Sequence, residues 1–382
     1  MILHFDINKT IIISDPAGGK SVSECINGII GEVVWGTKKA LSAASADELK
    51  VSLVIDQWVW VPHNPRVVSV TDPSDGSTTF ANFLHETLKY PPKTGTKEEQ
   101  YKVVHEIKKK RDELTTTFTN PGKVGNMCRD LYDMLHKGLC PDVEINGVKT
   151  TYEVYLLPSF LNLVTHLANQ KRKFTIIFRT FGTDIEPVIK AFNLFCEGKH
   201  PMYPNVRYNQ LPVDLRLTDE LKPTNLGFIF HKEESGTESL HLNIGTITKE
   251  DSKAQLSGFK DIHQFFIDSA ERSLKSGGSL AIRDDYYWWA SHNESAHAGK
   301  CNIFNPKDPQ HHTIFLDDNY FPNRGQSILD CRDQNGEALP DSVAEAVYAI
   351  KVEPFDAISN PQYFIQVIQK AEEKRAKLLA TQ

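Results

Sequence analysis

The sequence predicts an α/β fold: a Rossmann-like three-layer sandwich with a mainly parallel sheet and large insertions. Three observations carry this. Short apolar runs alternate with amphipathic helical stretches along most of the chain. Several of those runs end abruptly on a polar residue, at Asp6, Thr180 and Asp317. In an open α/β sheet, such strand ends line the ligand crevice. With 382 residues, the chain is long enough for about two domains, or for one core with sizeable insertions.

Met1–Phe5 reads as a short buried strand, and Ile11-Ile12-Ile13 resumes the apolar pattern. Ser21 and Glu24 form a capping-box signature. Ile26, Ile29, Ile30, Val33 and Val34 then mark one apolar helix face. From about Leu41 to Thr150 the character changes. Strands are expected at Lys50–Val61 and Arg66–Val70, a turn at Asp72–Gly76, and helices near Glu98–Thr116 and Gly125–Lys137. Asn146-Gly147 between apolar residues signals a hairpin. This gives an inserted module over 41–150 and a core formed by 1–40 and 151–382.

In the second half of the chain, Pro158 opens a helix, Phe174–Arg179 is a strand and Ile185–Phe195 a helix. Residues 200–257 read as an irregular insertion containing strand-like pieces at Leu226–His231 and Leu240–Ile244. Ile262, Phe265, Phe266 and Leu274 lie on another helix, ended by Gly277-Gly278. Leu280–Ile282, Thr313–Leu316 and Val347–Val352 are further strands, and Pro361 starts a terminal helix.

Hydrophobic residues make up 40% and charged residues 24%, an ordinary globular balance. The net charge of −6 argues against a general nucleic-acid or acidic-membrane binder. The basic run His105–Glu113 reads as a solvated helix face. Six cysteines lack any C-x-x-C pairing, so no zinc or redox motif is expected. No apolar run approaches the ~18 residues of a membrane span. A cytoplasmic protein is the expectation.

The chemistry concentrates in a few positions. Asp6-Ile7-Asn8-Lys9-Thr10 follows the first strand. Thr180 ends the strand Phe174–Arg179 where a helix is about to begin, a good position for a phosphate. Asp317-Asp318 ends another strand. Two adjacent carboxylates there call for a positive partner, and a hard cation such as Mg²⁺ fits.

This ordered set resembles the four-motif pattern of the haloacid dehalogenase (HAD)-like hydrolase superfamily. The resemblance implies that Asp6 is a nucleophile, that Thr10, Thr180 and Lys300 bind phosphate, and that Asp6, the Asn8 backbone carbonyl, Asp317 and Asp318 serve a Mg²⁺ ion. Arg283 rivals Lys300 as the basic residue. The implied reaction is hydrolysis of a small phosphorylated substrate through an aspartyl-phosphate, under a cap formed by the 41–150 module. One position departs from the pattern. Phosphatases of this superfamily carry a second Asp where Asn8 stands, and an amide cannot act as general acid or base. That points to a slow phosphatase, to a proton role moved to Asp15 or Asp184, or to a phosphate- and Mg²⁺-binding module without turnover.

A rival motif, Ser14–Ser21 with Gly18-Gly19-Lys20, resembles a nucleotide-binding P-loop, although Ser14 stands where glycine is required. It would imply a nucleotide-binding protein, with Leu316-Asp317 as the metal-binding strand end. His311-His312 read as surface polar residues. Tyr286, Tyr287, Trp288 and Trp289 read as core or domain-interface packing rather than a base-stacking platform.

Overall fold

The computed structural model describes residues 1–14, 19–69, 76–90, 97–145, 147–204, 206–208, 211, 225–250, 254–272, 279–322 and 327–380. The expected turn at Asp72–Gly76 (but for its last residue), the Gly277-Gly278 helix stop, and Asn146 of the expected hairpin turn lie outside them. The chain divides into two compact units. One contains Met1–Ile13 with Asp142–Gln382, and the other Ser14–Pro141.

The first unit is mixed α/β and is built on a large, mostly parallel eight-stranded sheet. Its strands run in the order Ala254–Ser257, Thr237–Ile244, Leu226–Glu234, Leu280–Asp284, Thr175–Thr180, Ile2–Asp6, Thr313–Asp317, Ala349–Lys351. Pairing is parallel from Leu226–Glu234 to Ala349–Lys351 and antiparallel at the other edge.

Alternation along the first strand explains its central position. Ile2 and His4 face one layer, where His4 packs against Phe266 of the helix Phe259–Arg272. Phe5 faces the opposite layer and meets Phe160 and Phe364, from the helices Pro158–Asn169 and Tyr363–Ala380. A strand apolar on both faces must lie inside a sheet covered on both sides. Helices thus cover both faces of the sheet, as a Rossmann-like sandwich requires.

Residues 226–257 differ from the sequence expectation of an irregular insertion. Leu226–Glu234 and Thr237–Ile244 form a regular hairpin, and Ala254–Ser257 extends it. Phe228, Ile229, Phe230, Leu240 and Leu242 are buried, so this hairpin widens the core sheet. His312 also differs. It is 5% exposed, because it packs edge-on against Tyr348 and hydrogen-bonds the Val347 carbonyl.

In the second unit, the helix Val22–Val33 carries the expected capping box. It packs against the helices Phe80–Thr87, Lys97–Thr115 and Arg129–Leu139. The compact units therefore divide at Ile13, not at residue 40. Helical periodicity fixes which face is buried but not which partner buries it. A four-stranded antiparallel sheet joins Leu53–Ile55, Trp58–Pro62, Trp35–Ala40 and Thr78–Thr79. The expected long strand over Lys50–Val61 is thus a hairpin. Arg66–Val70 contributes a single bridge, Val68 to Val34, among its described residues. Fully buried Trp60, Phe80 and Phe118 form this unit's aromatic centre. Among the described residues no helix is long and apolar enough to cross a membrane, and none of the six cysteines forms a disulfide.

Candidate metal centre

Asp6 ends its strand beside Thr313–Asp317, in a register that pairs Phe5 with Leu316. Asp6 and Asp317 are therefore neighbours at the carboxyl edge of the sheet. Asp6, Asp317 and Asp318 are all buried and offer carboxylate oxygens within 4.8 Å of one another. Such a triad of hard oxygen donors could hold a metal ion.

Lys300 enters this cluster from outside the main sheet. It begins the strand Lys300–Ile303, which pairs with Leu329–Arg332 in a separate sheet. Its Nζ donates to Asp6 Oδ1 and, at 2.9 Å, to Asp317 Oδ2. Lys300 is 1% exposed. Among the described residues, the ion pairs of Asp6 and Asp317 are made by Lys300 and not by Arg283. Three carboxylates against one ammonium leave a formal excess of two negative charges when all are ionised.

Burial is the largest influence on Asp6 and raises its pKa. Lys300 pulls the other way and Asp317 adds to the rise, which leaves the carboxyl at about 7. Burial also works against the Lys300 ammonium. Asp317, Asp6 and Asp284 together outweigh it and hold the ammonium well above its ordinary range. Lys300 thus stays charged, while Asp6 is hard to ionise fully without a second positive charge nearby.

The loop after Asp6 is wound tightly. The Ile7 carbonyl accepts from the N–H groups of Thr10, Ile11 and Ile12, and Lys9 takes a positive φ of 58°. These bonds, with Lys9 N–H to the Ile12 carbonyl, leave the Asn8 carbonyl outside the turn's own hydrogen bonding. Thr10 is fully buried, and its Oγ1 accepts from the Asp318 N–H at 3.2 Å. It ties the first loop to the acidic one. The Asn319 N–H donates to Asp317 Oδ1 at 2.8 Å, so both Asp317 oxygens are engaged.

Thr180 lies one strand over, 2% exposed, with its Oγ1 accepting from the Gly182 N–H at 2.9 Å. It does not cap the following helix, Ile185–Cys196. Asp184 occupies the cap position, yet its carboxylate makes no capping bond. An Asp there ordinarily accepts from the first-turn amides. Here Asp184 Oδ2 instead accepts from Asn8 Nδ2 at 2.9 Å. A methyl group placed on Gly182 would stand 2.8 Å from Asp184 Oδ2 and 3.3 Å from Thr180 Oγ1. Gly182 therefore keeps the space between these groups open. Of the two carboxylates named for the proton role, Asp184 reaches Asn8, and Asp15 lies outside the described residues.

Sequence reasoning missed the pair beneath the cluster. Arg179, fully buried, forks onto both oxygens of Asp284 and also bonds the Cys301 carbonyl. The available signal was an arginine inside an otherwise apolar strand, which needs a buried anion. In the second unit, Lys20 donates to Asp112 at 2.8 Å and Ser21 caps its helix. Lys20 and Ser21 of the rival motif thus have partners within this unit, while residues 15–18 lie outside the described residues. No protein-family model, curated protein or solved structure matches this chain.

Proposed function

We propose that the chain is a Mg²⁺-dependent phosphohydrolase of the HAD-like type, acting through an aspartyl-phosphate at Asp6. The observation that carries this reading is the convergence of Asp6, Asp317 and Asp318 where two adjacent parallel strands end, with Lys300 ion-paired to Asp6 and Asp317. The donor set fits a hard divalent cation: three buried carboxylates with oxygens within 4.8 Å of one another. Asp6, Asp317 and the Asn8 carbonyl would hold Mg²⁺, with Asp318 behind them. Bound there, it would offset the negative charge gathered between the carboxylates and a phosphoryl group.

The chain's own residues divide the remaining work. An Asp6 oxygen bonds to phosphorus as the bond from phosphorus to the ester oxygen breaks. Lys300 steadies Asp6 and attracts the phosphoryl oxygens. The Thr180 oxygen is engaged by Gly182, which leaves its hydrogen for a phosphoryl oxygen. The departing alkoxide needs a proton, and Asn8 has none to give. Asp184, held against Asn8, is the carboxyl assigned that transfer. Water then attacks the phosphorus of the aspartyl-phosphate and gives a proton to the Asp184 carboxylate as the bond from Asp6 to phosphorus breaks, which releases phosphate and restores both carboxyls.

The test is incubation with p-nitrophenyl phosphate and MgCl₂, followed by mass spectrometry of the peptide carrying Asp6. A phosphate adduct on Asp6, and loss of nitrophenol release in Asp6→Asn, are expected. Release that survives Asp6→Asn overturns the reading. Asn8 favours a second reading, a phosphate- and Mg²⁺-binding module without turnover. That reading expects Mg²⁺-dependent phosphate binding by calorimetry with no alcohol released.

A further inference from the structure

We infer that the phosphoryl group handled at Asp6 and Lys300 arrives on a planar aromatic molecule, whose ring docks against Phe181 and Tyr286. This rests on the phosphate reading above and names the substrate class within it.

The inner end of the path is the buried ammonium. Lys300 Nζ stands 5.3 Å from the centre of the Phe181 ring. Phe181 directly follows Thr180, so the ring borders the same strand end. It stacks on Trp289 with centroids 5.2 Å apart and planes at 21°. Tyr286 meets Phe181 edge-on at 5.9 Å and Trp289 at 6.2 Å. Tyr287 extends the row, 6.1 Å from Tyr286. Exposure rises along the way: Lys300 is 1%, Tyr286 46% and Tyr287 81% exposed. Aromatic contacts thus run without a break from the charge cluster to solvent.

The position of this wall follows from the sheet. Tyr286–Ser291 is the short helix just after strand Leu280–Asp284, which pairs in parallel with Thr175–Thr180. It therefore lies at the carboxyl edge where Asp6 and Asp317 sit. Core packing, the expectation from sequence, accounts for its base, since Phe181 and Trp289 pack on the buried cluster around Tyr320 and Tyr348. It does not account for the tip, because no residue of the helix is buried. Leaving Tyr286 and Tyr287 in water has a physical rationale if a ligand covers them. The Phe181 ring is already held against Trp289 and Tyr286, so docking a flat ligand on it orders little that is not ordered already.

Continuity and charge select the occupant. The inner end attracts an anion, and the outer end offers ring faces and edges. A phosphate ester of an aromatic alcohol or a nucleoside satisfies both ends, whereas an alkyl phosphate uses only the inner one.

The test is calorimetric titration of the full chain in MgCl₂ with ligands that cannot be turned over. These are inorganic phosphate, methylphosphonate, phenylphosphonate and the 5′-methylenephosphonate analogue of adenosine monophosphate. An aromatic ligand is expected to bind about tenfold more tightly than methylphosphonate, one stacked ring's worth. Preference for the adenosine analogue alone identifies a nucleotide, and equal preference for phenylphosphonate identifies an aryl phosphate. Tyr286→Ala should remove most of the preference and leave inorganic phosphate binding unchanged. Tyr286→Phe should keep it, because the ring and not the hydroxyl makes the contact. Phosphate binding with no aromatic preference, or a preference indifferent to Tyr286→Ala, overturns this inference alone. Failure of every ligand to bind overturns the phosphate reading, and this inference with it.

Discussion

Replacing Lys300 with methionine removes the ammonium that pairs with Asp6 and Asp317 while keeping most of the side-chain volume. Its Nζ lies 2.9 Å from Asp317 Oδ2 and also donates to Asp6, with all three side chains buried. What remains is three carboxylates with oxygens inside 4.8 Å of one another. Two unit charges at that spacing repel by about 3.5 kcal/mol at an effective dielectric near 20. Breaking a buried ion pair by removing one partner typically costs ~3–5 kcal/mol. The two figures describe one loss and are not added. In chelator at mildly alkaline pH, Lys300→Met should therefore lose about 3–4 kcal/mol of local stability. Native-state hydrogen exchange of the Ile2–Asp6 and Thr313–Asp317 amides measures it where it acts. The loss should shrink as pH falls, because the carboxyls can then neutralise. MgCl₂ should stabilise the variant more than the wild type, since the cation enters a more negative site. A variant within about 1 kcal/mol of wild type in chelator would refute the electrostatic argument. An equal effect of Mg²⁺ on both proteins would refute the cluster as the cation site.

Asn8→Asp should raise turnover of alkyl phosphates more than of aryl phosphates, because only poor leaving groups need the proton. The new carboxyl would meet Asp184 where the amide now bonds it at 2.9 Å, and the two would share one proton. Equal gains on both substrates, measured as kcat, would remove the proton argument. Thr10→Val deprives the Asp318 N–H of its acceptor. It should cost ~1–3 kcal/mol and weaken Mg²⁺ binding by calorimetry; unchanged metal affinity would make Thr10 irrelevant to the acidic loop. His312 has its pKa lowered to about 4, chiefly by burial. The native state therefore binds fewer protons than the unfolded chain, whose histidine titrates near ~6.5. Its contribution is whole above that value and is lost as pH falls toward about 4, up to ~3 kcal/mol. His312→Gln should flatten that limb of a urea-denaturation profile, and an unaltered slope would contradict the assignment.

The sequence by itself determined whatever rests on neighbours along the chain. An apolar run that stops at Asp6, Thr180 or Asp317 defines a strand end, and parallel strands bring such ends to one edge of a sheet. The capping box at Ser21 and Glu24 formed as read, because its bonds close within one helical turn. Tertiary structure decided the partners. Lys300 reaches Asp6 across 294 positions, and no spacing rule distinguishes it from Arg283. Asp184 sits where a helix cap belongs, yet it bonds Asn8. Periodicity gave the helix Val22–Val33 its buried face but not its unit. The strands within 226–257 were read as an insertion because their burial depends on pairing with Leu280–Asp284, far along the chain. The physical reason is common to all four. Local bonds form within a few residues, where the sequence displays both partners. Ion pairs, strand register and helix packing depend on proximity that exists only after the chain has folded.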